Sequence, residues 1–322
     1  MKSATLVSAA KPAIVGPTTD VDTLIALRAV RLRRRESRTA QSNAIGGARL
    51  TRLRGRGIDF AEVRLYQPGD DVRSIDWRVT ARKARVHTKV YREERERPTL
   101  ILVDQRHTMY FGSRARTKSV AAAEIAALLA WHTVDGGDRV GGLVLEDDGE
   151  ALVRPRRDPR TVVRLLGRIA QANRALAYAE SAAAAIATPA APAKRLNRAL
   201  DHLARLARNS YRLYLVSDFT GFDAESRQRI TDLARHNTLV GVRIYDALEA
   251  DLPPPDLYAI TDGITRANLD ARGALARRAH RARFAAFGEM VAAAHRDSRA
   301  QLLEIATDQP TAPLLSERLV RA

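Results

Sequence analysis

Residues 99–104 read TLILVD, and residues 211–219 read YRLYLVSDF. In each stretch a continuous apolar run ends at an aspartate, Asp104 in the first and Asp218 in the second. Such runs are typical of strands that are buried on both faces of a parallel sheet. From residue 99 onward they alternate with amphipathic or alanine-rich helical segments. The pattern predicts a doubly wound α/β sheet with helices on both faces.

The carboxyl ends of these strands are the expected position of a functional site, because ligands of open α/β sheets bind where the strand order reverses. With the order 3-2-1-4-5, the strands that end in Asp104 and Asp218 are neighbours, about 4.8 Å apart. A third predicted strand ends at Asp246. Two close carboxylates repel each other and favour a cation between them. The alternative is that each aspartate caps the helix that follows it.

A different pattern precedes residue 99. Residues 59–82 read DFAEVRLYQPGDDVRSIDWRVTAR, in which alternation predicts a strand and Pro68-Gly69 a turn. Charges of both signs around Trp77 favour either an internal ion-pair network that holds the segment to the main sheet or a docking surface for a partner. The sequence therefore predicts a flexible tail (1–20), an N-terminal helix with a β-rich segment (21–98), an α/β domain (99–310) and a C-terminal tail (311–322).

Composition excludes several classes of protein. The 322 residues include no cysteine, so disulfides, thiolate metal sites and cysteine nucleophiles are excluded. No apolar run approaches the length of about 18 residues that a membrane span needs. The N-terminal residues lack the continuous apolar core of a signal peptide. From these observations we expect no membrane span and a cytoplasmic location.

The charge balance raises the alternative of nucleic-acid binding. The formal net charge is +17, with 54 basic residues against 37 acidic ones. Arginines cluster at residues 28–38 and 277–283. A strong preference for Arg over Lys, with abundant Ala, also arises from GC-rich coding sequences. The aromatic side chains that stack on single strands are few, and no known nucleic-acid motif is present.

The segment at residues 59–82 resembles the signature of a bacterial family known as domain of unknown function 58. Nine residues fall where that signature expects them: Tyr66, Pro68, Gly69, Asp70, Asp71, Arg73, Asp76, Trp77 and Arg82. Asp104 followed by Thr-Met-x-Phe-Gly, and later Leu-Val-Ser-Asp-Phe, is similar to the von Willebrand factor A-like fold. The resemblance implies a mostly parallel von Willebrand A-like sheet with an added N-terminal β-rich segment.

The resemblance also implies a function. Members of the family are typically encoded beside AAA+ ATPases of the MoxR type and are thought to act as their adaptors or as chaperone-like partners, without enzymatic activity. The wider fold holds a divalent cation through Asp-x-Ser-x-Ser, a later threonine and a later aspartate. An acidic group of the partner completes the coordination of that cation.

This chain departs from that metal-binding pattern. Asp104 and Asp218 match it and Thr108 keeps a hydroxyl, but Arg106 replaces the first serine, and Lys194 lies near the position of the later threonine. Charged Arg and Lys donate hydrogen bonds and cannot ligate a cation. We therefore expect a degenerate adhesion site in which Arg106, together with Lys194, takes the place of the metal.

The predicted partner-binding residues are Asp104, Arg106, His107, Thr108, Lys194 and Asp218. If the site kept a metal, Mg²⁺ or Mn²⁺ would be held by Asp104, Thr108 and Asp218. Thr188 is a poorly aligned substitute for the missing threonine. Without a metal at this site, no cofactor is expected. The expected partners are a MoxR-type AAA+ ATPase and an acidic protein client. A metal-dependent hydrolase at the aspartate pair would lack a credible general base or nucleophile.

Overall fold

The structure is a computed structural model that describes residues 13–30, 32, 58–83, 85–93, 97–178, 191–261 and 266–319. The chain divides into two compact units. The first, called the main unit, comprises Met1–Arg35 with Arg97–Ala322, and the second, called the signature unit, comprises Glu36–Glu96.

Helices and strands are numbered here in chain order over the described residues. They are α1 (Val21–Ala26), β1 (Ile58–Leu65), α2 (Trp77–Lys83), β2 (His87–Glu93), β3 (Thr99–Asp104), α3 (Lys118–Asp135), β4 (Val140–Leu145), β5 (Glu150–Arg156), α4 (Pro159–Ala175), α5 (Ala191–Leu206), β6 (Arg212–Ser217), α6 (Ala224–His236), β7 (Thr238–Tyr245), α7 (Ala247–Ala250), β8 (Leu257–Thr261), β9 (Arg266–Asp270), α8 (Ala274–Asp297), β10 (Gln301–Ala306) and α9 (Thr311–Leu319). Single 3₁₀ turns lie at Leu27–Ala29, Val72–Ser74 and His107–Met109.

The main unit is built on a six-stranded sheet in the order β10-β7-β6-β3-β4-β5. Neighbouring strands are parallel except for β5, which runs antiparallel to β4 at one edge. The chain runs outward from β3 through β4 to β5, and then returns to β6 on the other side of β3. The reversal of strand order therefore lies between β3 and β6, as the sequence predicted.

Each face of the sheet has its own apolar core. Alternate residues of β3 divide between the two cores, because successive side chains of a strand point to opposite faces. Helices α1, α3 and α4 cover one face, and α5, α6 and α8 cover the other. Helix α3 is buried on nearly all sides, which its small alanine side chains permit. The predicted von Willebrand A-like fold is confirmed.

The N-terminal boundary differs from the sequence prediction of a tail over residues 1–20. From residue 13 onward the chain packs on the main unit: Ile14 is buried and donates its backbone N–H to Glu124. Leu24 on α1 is also fully buried. The predicted helix 21–35 ends at Ala26 and continues only as a 3₁₀ turn, and most of the basic cluster at 28–38 lies outside the described residues.

The other end of the chain also departs from the prediction of a tail at 311–322. Residues Thr311–Leu319 form helix α9, and Leu315 on it is fully buried. Residues 252–262, predicted as a loop with an edge strand, contribute β8, which pairs with β9 in a separate two-stranded sheet. The buried side chains of α9 are too few to give a periodic signal, which accounts for the difference at 311–319.

The signature unit consists of the antiparallel pair β1 and β2 with α2 between them in sequence. Two ion pairs lie within the described part of the unit: Arg64 contacts Asp70 at 2.7 Å, and Lys89 contacts Asp76 at 3.6 Å. Trp77 opens α2 with 69% of its surface exposed. Of the charged residues near Trp77 in sequence, Arg64, Asp70 and Asp76 are therefore held in ion pairs within the unit.

Candidate functional site

Asp104 and Asp218 lie together at the carboxyl edge of the sheet. Asp104 is the last residue of β3, and Asp218 follows the last residue of β6. These two strands are paired in parallel register, with Val103 opposite Val216. Both carboxylates are buried. The predicted convergence of the two aspartates at the strand-order reversal is therefore present.

Arg106 binds the Asp104 carboxylate through both of its oxygens. The guanidinium donates from Nε to Oδ1 at 2.9 Å and from Nη2 to Oδ2 at 2.6 Å, a fork-to-fork geometry. The backbone N–H of Arg106 also donates to Oδ1 at 3.1 Å, which turns the chain so that the side chain folds back on Asp104. Ser217 adds a 2.6 Å hydrogen bond to Oδ2.

The same guanidinium joins the β3 loop to the β6 loop. Its Nη1 donates to the carbonyl oxygen of Thr220 at 3.1 Å, and Nη2 lies 3.9 Å from Asp218 Oδ1. Burial lowers the pKa of Arg106, but the charges of Asp104 and Asp218 outweigh that effect and raise the pKa above its usual value. Arg106 therefore stays charged in the interior.

Lys118 supplies a second buried cation at the first residue of α3. Its Nζ donates to Asp218 Oδ2 at 2.9 Å and to Glu249 Oε1 at 2.6 Å. Burial opposes the charge, yet the two carboxylates raise the pKa of the Lys118 ammonium. Burial likewise raises the pKa of Asp218, but Lys118 and Arg106 together lower it to about 2. Asp104, Arg106, Asp218, Lys118 and Glu249 thus form one chain of alternating charge, called here the buried ion chain.

The residues present do not fit the divalent cation that the wider fold binds. The inward oxygens of Asp104 and Asp218 already accept hydrogen bonds from a guanidinium and an ammonium, and two fixed positive charges would repel a metal ion. The Thr108 hydroxyl is buried without a hydrogen-bond partner in the described part of the chain. Within the same residues, no group of three or more His, Asp or Glu side chains is arranged to hold a metal.

Lys194 does not take the position that the sequence predicted for it. It lies on the exposed side of α5, and the second cation of the site is Lys118. The neighbouring Arg195 points toward the site instead, with Nη1 3.4 Å from Asp147 Oδ1. Asp147 accepts the backbone N–H of His107 at 2.6 Å through its other oxygen, and burial raises the pKa of Asp147. The prediction of Lys194 is therefore corrected to Lys118.

The expected position of the helix after β3 could have identified Lys118 from the sequence. In a doubly wound sheet the helix after the first strand begins beside the carboxyl end of that strand. The predicted helix starts near residue 115, so a lysine in its first turn faces the aspartates. The signal is weak because a lysine at a helix start is usually a solvated residue.

Asp246, the third strand-ending aspartate, has a structural role. Its carboxylate caps α7 through Leu248 N–H at 3.0 Å, as the capping alternative predicted. It also accepts from Ser113 Oγ at 2.5 Å and from Thr307 Oγ1 at 2.6 Å. This carboxylate therefore ties the loop between β3 and α3 to the ends of β7 and β10.

Two large side chains on that loop are exposed to solvent. Phe111 is 42% exposed, and the side chain of Arg114 is 66% exposed despite its 2.8 Å contact with Asp308. The predicted residue His107 is partly buried, and its Nδ1 has no hydrogen-bond partner among the described residues. Phe111 and Arg114 are called here the exposed rim.

Comparison with known proteins identifies two mycobacterial relatives and a solved structure that are similar to this chain. The chain is 30% identical over 251 residues to the uncharacterized protein Rv1480 of Mycobacterium tuberculosis, which covers 75% of this chain and 73% of the relative. The uncharacterized protein Mb1516 of Mycobacterium bovis matches to the same extent. A von Willebrand factor type A structure from Catenulispora acidiphila covers 50% of this chain and 35% of its own, at 14% identity and a TM-score of 0.27.

Two further solved structures come from Bacteroides. The conserved hypothetical protein BatB of Bacteroides thetaiotaomicron is 11% identical, with a TM-score of 0.41, and covers 69% of this chain and 97% of its own. An aerotolerance-related membrane protein of Bacteroides fragilis is 12% identical, with a TM-score of 0.37, and covers 69% and 98%.

The comparisons contradict the predicted cytoplasmic location, because the Bacteroides fragilis neighbour is described as a membrane protein. In the described residues, no helix combines the length and apolar character that crossing a membrane requires.

The family assignment rests on the sequence match and agrees with the fold. Residues 62–296 match the family described as protein of unknown function DUF58. That range includes most of the signature segment, the buried ion chain and the strand-order reversal. The chain belongs to the DUF58 family and carries its von Willebrand A-like fold.

Proposed function

We propose that this chain is a non-enzymatic protein-interaction module, an adaptor for a MoxR-type AAA+ ATPase, which binds its partner at the carboxyl edge of the main sheet. The resemblance of the signature segment supplies the class of partner. The observation that carries the proposed surface is the buried ion chain, in which Arg106 and Lys118 hold Asp104 and Asp218 where the wider fold holds a metal.

The ion chain makes the exposed rim part of a pre-organised surface. Arg106 bonds the β3 loop to Thr220 in the β6 loop, and Lys118 bonds α3 to Asp218 and Glu249. Ser113, between the two rim residues, is fixed by Asp246. A surface whose loops are already ordered loses less conformational entropy when a partner binds. This favours recognition by shape over recognition by a dissociable metal.

The state of the carboxylates supports a binding role over catalysis. Asp218 has a pKa of about 2 and is held in ion pairs, so it is a poor proton acceptor near neutral pH. Arg106 and Lys118 stay protonated because their carboxylate partners raise their pKa values. No metal or other cofactor is needed for the proposed binding.

The test has a discovery step and a quantitative step. The tagged chain is captured from its native host after nuclease treatment, with ATP, with ADP or with a non-hydrolysable ATP analogue, and a co-purifying AAA+ ATPase is identified by mass spectrometry. Binding of that purified ATPase is then measured for Phe111→Asp and Arg114→Glu. We expect nucleotide-dependent binding that each rim variant weakens by about tenfold or more.

The controls use exposed residues outside the rim. Leu275, 82% exposed on α8, gives Leu275→Asp as the control for Phe111→Asp, and Arg283→Glu is the control for Arg114→Glu. Both should bind like the native chain. Capture of nucleic acid with no ATPase in any nucleotide state would contradict the proposal and favour the arginine-rich alternative.

A further inference from the structure

A second surface lies at the edge of the main sheet, where strand β5 and helix α4 enclose a groove of about 740 Å³. Its floor is apolar and is formed by Val21, Leu152, Val153, Val163 and Gly167. Its remaining lining residues are all arginines, Arg154 and Arg156 from β5 and Arg164 and Arg168 from α4. No acidic side chain lines the groove.

The charge of the groove is largely uncompensated. Arg168 has a distant ion pair, with Nη2 3.9 Å from Glu146 Oε1, and a hydrogen bond to Gln171. Within the described part of the chain, Arg154, Arg156 and Arg164 form no ion pair, and all three are exposed. Four guanidinium groups around one groove repel each other, so a bound anion would lower the electrostatic free energy of the site.

Strand β5 also offers backbone hydrogen-bonding groups. It is the last strand of the sheet and pairs with β4 on one side only, within the residues that the structure describes. Alternate N–H and C=O groups of such a strand point away from its neighbour and can pair with an added strand. Pro155 lacks an N–H and interrupts this edge near its end.

We propose that this groove binds an extended acidic segment of a partner protein. The segment pairs with the open edge of β5. On the face that α4 covers, its carboxylates contact Arg156 and the two α4 arginines; on the opposite face, its alternate apolar side chains lie beside Leu152. A strand presents its side chains with a period of two, which suits a ligand that alternates acidic and apolar residues. A nucleic acid is less suited, because no aromatic side chain lines the groove for base stacking.

The groove and the exposed rim are separate surfaces. Glu150 lies opposite Leu145, which in turn lies opposite Asp104, so this end of β5 is at the carboxyl edge. Arg156 lies opposite Val140, at the other end of the sheet. Neither Phe111 nor Arg114 lines the groove. An acidic segment can therefore bind here whether or not the rim contacts an ATPase.

Binding is tested on the full chain by fluorescence anisotropy with a labelled ten-residue peptide of alternating Glu and Val. The comparison probes are a Lys-Val peptide of equal length and a labelled oligothymidylate. We expect saturable binding of the Glu-Val peptide that weakens as salt is raised. The double variant Arg156→Glu/Arg164→Glu should weaken it by about tenfold or more. Bound peptide should also slow amide hydrogen exchange in residues 150–156.

Two controls separate this groove from general basic charge. Arg160→Glu/Arg198→Glu changes two exposed arginines outside the groove and should leave peptide affinity within about twofold of the native chain. Val163→Asp places a carboxylate on the floor and should weaken the Glu-Val peptide. The proposal is overturned by no binding of that peptide at about 1 mM, by equal affinity in the groove variant, or by tighter binding of the oligothymidylate that the groove variant abolishes.

Discussion

Lys118, the first residue of α3, donates a 2.9 Å hydrogen bond to Asp218, which lies 100 residues later in the chain. The contact joins the helix that follows the first strand of the sheet to the loop that follows its neighbour β6. It places a positive charge against one of the two aspartates that match the metal-binding pattern of the wider fold. The predictions below start from this arrangement.

Replacing Arg106 with methionine should strongly destabilise the main unit. Asp104 would lose the two side-chain donors Nε and Nη2 and remain as a buried, poorly compensated charge. Breaking a buried pair in this way costs about 3–5 kcal/mol. The free energy of unfolding, measured by urea denaturation, should fall by this amount for Arg106→Met.

The matched control is Arg114→Met, because the ion pair of Arg114 with Asp308 is exposed. Exposed pairs contribute about 1 kcal/mol or less. Adding Asp104→Asn to Arg106→Met should recover part of the loss. Equal effects of the two single variants would mean that the buried position of Arg106 has no energetic consequence.

Divalent metal should not bind at the aspartate pair in the native chain. We expect calorimetric titration with Mg²⁺ or Mn²⁺ to show no saturable site, because Arg106 and Lys118 already neutralise the carboxylates. Arg106→Ser/Lys118→Ala removes both cations and restores the serine of the adhesion motif, so this variant should gain Mn²⁺ binding. Saturable binding by the native chain that disappears in Asp104→Ala would show that the guanidinium does not replace the metal.

Acidification should remove the stabilisation that Asp218 contributes. Its folded pKa of about 2 lies below the unfolded value, which is about 3.9. A depressed carboxylate pKa contributes stability that is complete above the unfolded pKa and is lost as the pH falls through the folded one. The urea midpoint should therefore decline between about pH 4 and pH 2, and less steeply in Asp218→Asn.

The contribution of Lys118 to the free energy of unfolding should have the opposite dependence on pH. Its folded pKa is raised, so its contribution is complete below the unfolded value and is lost as the pH rises through the folded value. Lys118 therefore stays protonated throughout the range in which Asp218 is titrated, so the acid dependence reports the carboxylate. A steeper acid dependence in Asp218→Asn than in the native chain would contradict the assignment.

The segment before α1 should be needed for stability. Ile14 is buried in the core with α3, where its backbone N–H donates to Glu124, and Ile14→Ala should cost about 2–5 kcal/mol. Val15, 67% exposed in the same segment, supplies the control Val15→Ala, for which we expect a change within about 0.5 kcal/mol. Urea denaturation measures both. Similarly small losses of unfolding free energy in both variants would support the flexible tail that the sequence predicted.

The two tryptophans should report the two units separately. Trp77 is 69% exposed, whereas Trp131 is buried on α3 and lies under the guanidinium of Arg28 at 4.8 Å. In Trp77→Phe the remaining emission should shift to shorter wavelength and resist quenching by iodide. Trp131→Phe should leave an emission that iodide quenches readily. Protection of Trp77 in that variant would show that the signature helix is covered.

Most of the main sheet could be predicted from the sequence, because two-sided burial leaves continuous apolar runs such as residues 99–103. The strand order then followed from the general rule for doubly wound sheets, and it placed Asp104 beside Asp218 correctly. The ends of the chain could not be predicted in this way. A few buried side chains, including Ile14 and Leu315, fix them without any periodic pattern.

One of the two cations of the candidate site could be predicted from the sequence, and the other could not. Arg106 is two residues from Asp104, so local geometry alone brings the guanidinium back to the carboxylate. The second cation depends on the three-dimensional position of a helix start, and alignment to a family motif pointed to Lys194 instead of Lys118. The placement of Arg106 beside Asp104 could therefore be predicted, whereas the contact of Lys118 with Asp218 across 100 residues was missed.

A cation that is covalently part of the chain cannot dissociate. Where Arg106 and Lys118 take the place of a metal, as we propose, the edge of the sheet has no empty form, and we expect a chelator to leave partner binding unchanged. We therefore expect the proposed binding surface to be complete as soon as the polypeptide folds, before any partner arrives.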